Sequence, residues 1–255
     1  MKAIIAATLL GLCFVMSSQA QSPESHEAAY KAYLGDQKAE VTKELWKKVV
    51  SDRQNEFDKS NNDKNALYQL ALAQFGLLSA TMRDRDEDLF DDYADQAEDN
   101  LESLIDKNKN WGEPRALLSA LYGLKMGYSP WKGMYLGSKS QNLMDKAMKD
   151  APLSPLVWKL YANSKYFTPE TWGGDIKEAV SAYEKSIQLY ESNALQTKNN
   201  WFYIDTMAFL GQAYVKDGQH SKAIAIYEKA LTLEPAFGWI KFSLLPKAKK
   251  SVASN

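Results

Sequence analysis

Cysteine is nearly absent from this 255-residue chain: Cys13 is the only one, and it lies inside an apolar N-terminal run. If that run is removed as a leader, the remaining chain has no thiol. Disulfides, thiol catalysis and cysteine-ligated metals are then excluded together. Histidine is almost as scarce, with only His26 and His220, so a general base or metal ligand active near neutral pH has few candidates. No HExxH, GxSxG, phosphate-loop or dinucleotide fingerprint occurs. Ser129-Pro130-Trp131-Lys132 spells the SxxK motif of serine acyl-transfer enzymes, but the Ser-Asp-Asn and Lys-Thr-Gly elements that complete that site are missing. Charge of one sign is missing too. Lys and Arg number 31, Asp and Glu 32, and the formal net charge is -1. That balance gives no electrostatic case for nucleic acid, which calls for a basic face, and no polybasic segment for a membrane surface. Past the N-terminal run, no segment is apolar enough to span a bilayer. We therefore expect a non-catalytic chain without cofactor or metal.

The N-terminus has the layout of a secretory signal. Lys2 precedes an apolar stretch over residues 3–16, and Ser18-Gln19-Ala20 supplies small residues for cleavage. The stretch is shorter than the about 20 residues a spanning helix needs. A cleaved signal peptide over residues 1–20, a chain starting at Gln21 and export to the periplasm are the expectation. Leu10-Gly11-Leu12-Cys13 outlines a lipoprotein site. Leu12 is too bulky for the position before the cysteine, so lipid anchoring through Cys13 is the weaker alternative.

What the chain does have is helical periodicity. Apolar residues recur at spacings of three and four, and Pro and Gly fall between the periodic segments. The clearest unit runs from Trp201 to Pro235. Its first helix carries Met207, Leu210, Gly211 and Tyr214; a turn follows at Lys216-Asp217-Gly218-Gln219; its second helix carries Ala223, Tyr227 and Ala230. Gly211 and Ala223 are small where two antiparallel helices cross closely, Leu210, Tyr214 and Tyr227 fill the space between them, Gly218 closes the first helix and Pro235 ends the second.

This unit closely resembles the tetratricopeptide repeat, matching seven of its eight usual positions, with Met207 in place of the usual Trp. Degenerate copies precede it. Their small anchor residues fall at Ser103, Ala147, Ser186 and Ala230, at spacings of 44, 39 and 44. An N-terminal helical region with Tyr30, Tyr33, Leu45, Trp46 and Val49-Val50 comes first, and Phe237, Ile240, Leu244 and Leu245 suit a terminal helix that covers the last open face. The Thr168-Pro169 loop ending in Gly173-Gly174, with the tail from Phe237 to Lys247, is similar to a group of exported bacterial repeat proteins. The resemblance implies an all-α solenoid whose concave face binds peptides or proteins. We expect it over residues 21–247, as about four hairpins with an N-terminal helical pair and a cap, followed by a disordered tail at 248–255.

Two surfaces are candidate partner sites. Two repeats carry insertions between their helices, at residues 127–133 and 167–174, and insertions at equivalent points emerge on one edge of a solenoid. Tyr128, Trp131 and Trp172 lie in these insertions, and loop aromatics often anchor partners. The second candidate is the concave groove. The resemblance places Lys159, Asn163, Asp205, Gln212 and Lys216 there, on first helices and off the packing positions. Trp46, Trp158 and Trp239 fall on apolar stripes and are expected in the core. Residues 84–102 hold ten acidic side chains, and Asp84, Asp86 and Asp88 have calcium-loop spacing. Leu89 replaces the glycine that loop requires, so an acidic helix start is expected instead. The functional expectation is a monomeric interaction scaffold in the bacterial cell envelope, binding another protein or peptide. The alternative is a periplasmic protein that captures a peptide or small ligand for transport or sensing.

Overall fold

Asp63, Asp86, Ser154, Asp175 and Asn200 each accept a hydrogen bond from a backbone N–H two or three residues ahead. Short polar side chains there satisfy the free donors of a first helical turn, and so mark where helices begin. The computed structural model describes residues 23–35 and 39–253. The expected signal peptide, Cys13 and the start at Gln21 lie outside them.

The described residues form eleven α-helices and no strand: α1 (Pro23–Leu34), α2 (Ala39–Asp58), α3 (Lys64–Thr81), α4 (Glu87–Lys107), α5 (Gly112–Tyr128), α6 (Gly133–Asp150), α7 (Pro155–Phe167), α8 (Ile176–Glu191), α9 (Trp201–Lys216), α10 (His220–Leu233) and α11 (Leu245–Ala253). Consecutive helices pair as hairpins, α3 with α4, α5 with α6, α7 with α8 and α9 with α10, after a leading pair α1 and α2. The first helices of successive hairpins, α3, α5, α7 and α9, also pack on one another and form the inner layer.

Small residues sit where the helices cross: Ala147, Ala179, Ser186, Ala223 and Ala230 are all fully buried. Large residues fill the layer between, among them Leu101, Leu117, Tyr183 and Tyr227. Past α10, Phe237 and Ile240 are buried, and a wide π-type turn over Ile240–Leu244 leads into α11. The chain expected as a tail from residue 248 instead continues as helix to Ala253, with Ala248 buried. Ala248 lies one turn beyond Leu244 and shares its inward face, so the cap is longer than its bulky residues alone suggest. Residues 254–255 lie outside the described ones.

The inner layer curls until its ends meet. Trp46 on α2 packs edge-on against Trp201 on α9 at 5.4 Å between ring centroids, and Phe75 on α3 stacks on Phe202 at 6.2 Å. Helix α1 lies across this junction. Its Tyr33 stacks on Trp201 at 5.5 Å and meets Phe237 edge-on at 5.6 Å, while the Tyr30 hydroxyl donates to Glu234 Oε2 at 3.2 Å. Inward-facing rings on the first and last hairpins would otherwise lie open to water; closing the superhelix buries them.

Candidate functional site

The concave groove, built residue by residue, is closed over much of its length. Lys159 on α7 and Asp205 on α9 were expected to line it as polar groups open to a peptide. They are only 3% and 5% exposed, and Lys159 Nζ lies 2.6 Å from Asp205 Oδ2. The other carboxylate oxygen, Oδ1, accepts from Tyr33 at 2.7 Å. The Lys159 ammonium also sits 5.5 Å and 5.8 Å from the ring centroids of Phe202 and Phe209. The expectation for these two residues is corrected: they bind one another and α1, because the folded-over helix brings a third polar group to the pair. Burial and the neighbouring carboxylate push the Tyr33 phenol well above its usual range, which keeps it a neutral donor.

The other groove candidates lie nearer the loop end. Asn163 accepts from the Tyr183 hydroxyl at 2.6 Å through Oδ1. Lys216 is exposed and holds its ammonium 3.8 Å from the Tyr166 ring centroid. Gln212 is half-buried, and its Nε2 is buried without a hydrogen-bond partner.

At the loop edge the structure separates the three candidates. Trp131 is 64% and Trp172 71% exposed, whereas Tyr128 is buried. Helix α5 runs on through Gly127 to Tyr128 and stops before Pro130, and the Tyr128 ring turns inward. It packs at 4.5 Å from Phe90, and its hydroxyl lies 2.8 Å from Thr81 Oγ1. Tyr128 is therefore a packing residue.

Trp131 and Trp172 each sit in a single 3₁₀ turn, Pro130–Lys132 and Glu170–Trp172. The second is tightly held. Gly174 N–H donates to the Pro169 carbonyl at 3.1 Å and Asp175 N–H to the Lys165 carbonyl at 3.0 Å. Gly173 has φ +94°, and a Cβ on Gly174 would overlap the Thr168 carbonyl; both positions require glycine. The tryptophan at the end of this turn is thus presented to solvent by ordered backbone.

Sequence reasoning missed three companions. Met134 is 84% and Phe167 61% exposed, and Tyr135 pairs with Trp131 at 5.9 Å. The helix ends flanking the two insertions contain them, and the apolar residues there were legible as breaks in the expected polar face.

Other sequence features resolve into structure. Asp84 and Asp86 both receive Lys43 Nζ, at 2.7 Å and 2.6 Å, and Asp86 caps α4 through Leu89 N–H. Lys43 and the capping bond hold the Asp86 carboxyl below its usual range. His220 opens α10 with its Nδ1 buried and unpartnered. Trp46 is in the core, but Trp158 is half-buried and lines a depression of about 520 Å³ between α6, α7 and α8 with Met148, Tyr161 and Lys185. Its Nε1 donates to the Pro152 carbonyl at 2.8 Å, a bond that draws the ring toward the helix junction. Trp239 is half-buried and packs on Phe209 at 5.7 Å.

Comparison with known proteins agrees with the hairpin architecture. A family model for the tetratricopeptide repeat matches residues 204–237. Among solved structures, the chain is similar to the HusA haemophore from Porphyromonas gingivalis, with a TM-score of 0.59 and 18% identity, covering 79% of this chain and 96% of that one. It is also similar to a thermophilic tetratricopeptide-repeat protein from Thermus thermophilus, with a TM-score of 0.49 and 17% identity, covering 85% and 89%. No curated protein matches it in sequence. Residues 204–237 match the tetratricopeptide repeat, and the described residues as a whole have an all-helical fold of paired hairpins.

Proposed function

We propose that this chain is a non-catalytic interaction scaffold, exported to the bacterial cell envelope, that docks a partner protein on its loop edge. One observation carries this: Trp131, Met134, Tyr135, Phe167 and Trp172 stay exposed on the two insertions, or on the helix ends beside them, at equivalent points of successive hairpins. Large apolar side chains grouped on ordered backbone mark interaction sites, and tryptophan and tyrosine dominate binding energy at such sites. The closed groove favours the edge further, because a peptide cannot reach Lys159 or Asp205 while α1 is docked. Export and a periplasmic location rest on the N-terminal residues and on the absence of cysteine after Cys13.

The test is photo-crosslinking in the native host, with the probe at Trp131 or Trp172 and a control at Lys146, an exposed residue on α6. One dominant protein adduct from both edge positions, absent at Lys146, is the expected result. Equal adducts at all three positions, or none, would remove the edge as a docking surface. The second reading, capture of a small ligand, is favoured by the unpartnered Gln212 amide.

A further inference from the structure

Along α9, Phe202, Asp205, Phe209, Gln212 and Lys216 recur at spacings of three and four, so they face one side. The first three are covered. Phe202 stacks on Phe75, Asp205 is taken by Tyr33 and Lys159, and Phe209 packs against Phe167 at 5.5 Å as well as Trp239. The covering stops there. Gln212 carries a buried Nε2 with no acceptor. Lys216 has no ion pair among the described residues; its ammonium rests over the Tyr166 ring. Opposite, on α7, Asn163 and Tyr166 share the face of Lys159. Tyr166 lies 6.1 Å from Phe209, and Phe167 forms an exposed rim.

This end of the concave face therefore has donors without acceptors. A buried amide donor left unpaired is unfavourable and wants an oxygen. An ammonium held at an aromatic face rather than at a carboxylate keeps its charge available. The one acid on this stripe, Asp205, is already engaged, and Asp217 at the end of α9 accepts from Gln219. The rings of Phe167, Phe209 and Trp239 supply apolar walls, with buried Tyr166 packed behind them.

We propose that this mouth binds a small organic acid, one carboxylate on a flat aromatic body. Gln212 Nε2 and Lys216 Nζ take the carboxylate, and the ring lies on half-buried Phe209 against the Phe167 rim. A single cation beside a neutral amide matches one negative charge better than a doubly charged phosphate. The site shares only Phe167 with the loop edge and does not depend on protein docking there.

The test titrates the purified protein with 2-naphthoate and, separately, with the uncharged 2-naphthalenemethanol. Binding is followed by tryptophan fluorescence and by the side-chain amide signal of Gln212 in ¹⁵N spectra. The expected result is saturable binding of the acid, about tenfold tighter than the alcohol, as a charge-assisted hydrogen bond implies. The Gln212 amide signal should move on binding. Lys216→Met should weaken the acid about tenfold with no change in Tm, because Lys216 is exposed, and Lys216→Arg should restore it. Equal affinity for acid and alcohol, wild-type affinity in both Lys216→Met and Gln212→Leu, or no saturation would each overturn the proposal. Failure of the crosslinking at Trp131 and Trp172 would leave it untouched.

Discussion

Tyr33 and Asp205 stand 172 positions apart in the chain and meet at 2.7 Å, the phenol donating to Oδ1. Lys159 occupies the other carboxylate oxygen. This three-residue knot joins the first helix to the last two first-helices of the inner layer, and it converts an open groove into a closed one.

Removing one partner of the buried pair leaves the other charge uncompensated. Lys159→Met should lower unfolding free energy by about 3–5 kcal/mol, whereas Lys159→Met combined with Asp205→Leu should cost much less. Urea denaturation of the two variants measures this. If the double variant is no more stable than the single, the pair is not the source of the loss.

Tyr33→Phe keeps the ring stack on Trp201 and deletes only the hydroxyl. A hydrogen bond to a charged group contributes about 1.5–3 kcal/mol. The loss should be local first, because a 12-residue helix has little stability of its own. Hydrogen exchange should speed up in α1 while α9 keeps its protection. Uniform acceleration across both helices would mean that α1 opens only with the whole fold.

The hairpin α9–α10 was legible because its determinants are local: Gly211, Ala223, Tyr227 and Gly218 hold fixed offsets that only a tight helix pair uses, and Gly218 does take φ +74°. The cap was legible for the same reason, through Phe237, Ile240 and Leu244. Pro and Gly around Trp131 and Trp172 placed both tryptophans in loops, but not whether each would face solvent or fold back over its hairpin; the structure shows them exposed. Closure by α1 was not legible. Tyr33 and Tyr30 sit on a helix of weak amphipathicity, and their partners are 172 and 204 residues away. Lys159 and Asp205 looked like solvent-facing polar residues, since sequence spacing shows which side of a helix a residue takes and not what another segment brings to it. Gln212 was singled out, but that its amide is buried and unpartnered is a property of the folded packing, which spacing along one helix does not show.

Two glycines in similar helical positions should respond in opposite ways. A Cβ at Gly211 would fall within the ring of Tyr227, and overpacking of a fixed aromatic costs about 1–3 kcal/mol. Gly123 lies in α5 with nothing within 4 Å of the added Cβ. There the better helix propensity of alanine should stabilise by about 0.5–1 kcal/mol. Thermal melts of Gly211→Ala and Gly123→Ala should therefore shift to either side of the parent. Two shifts of the same sign would contradict this packing of Gly211 on Tyr227.

Alkali should unfold the protein through its tyrosines. Burial, the largest cause in each case, holds the phenols of Tyr33, Tyr68, Tyr183 and Tyr190 well above their ordinary value of 10.0, and Asp205 and Glu113 add to this for Tyr33 and Tyr68. A group whose folded pKa is raised contributes stability that is fully present below its unfolded pKa. That contribution is lost as pH rises toward the folded value. Above about pH 10 the unfolded chain releases protons that the folded chain retains, so stability falls with a slope set by the number of such phenols. Absorbance at 295 nm from the buried tyrosinates should rise at the same pH at which helical ellipticity is lost. If these phenols ionise while the helical signal is intact, they are open to solvent in the folded state, and the closed inner layer around Tyr33 is wrong.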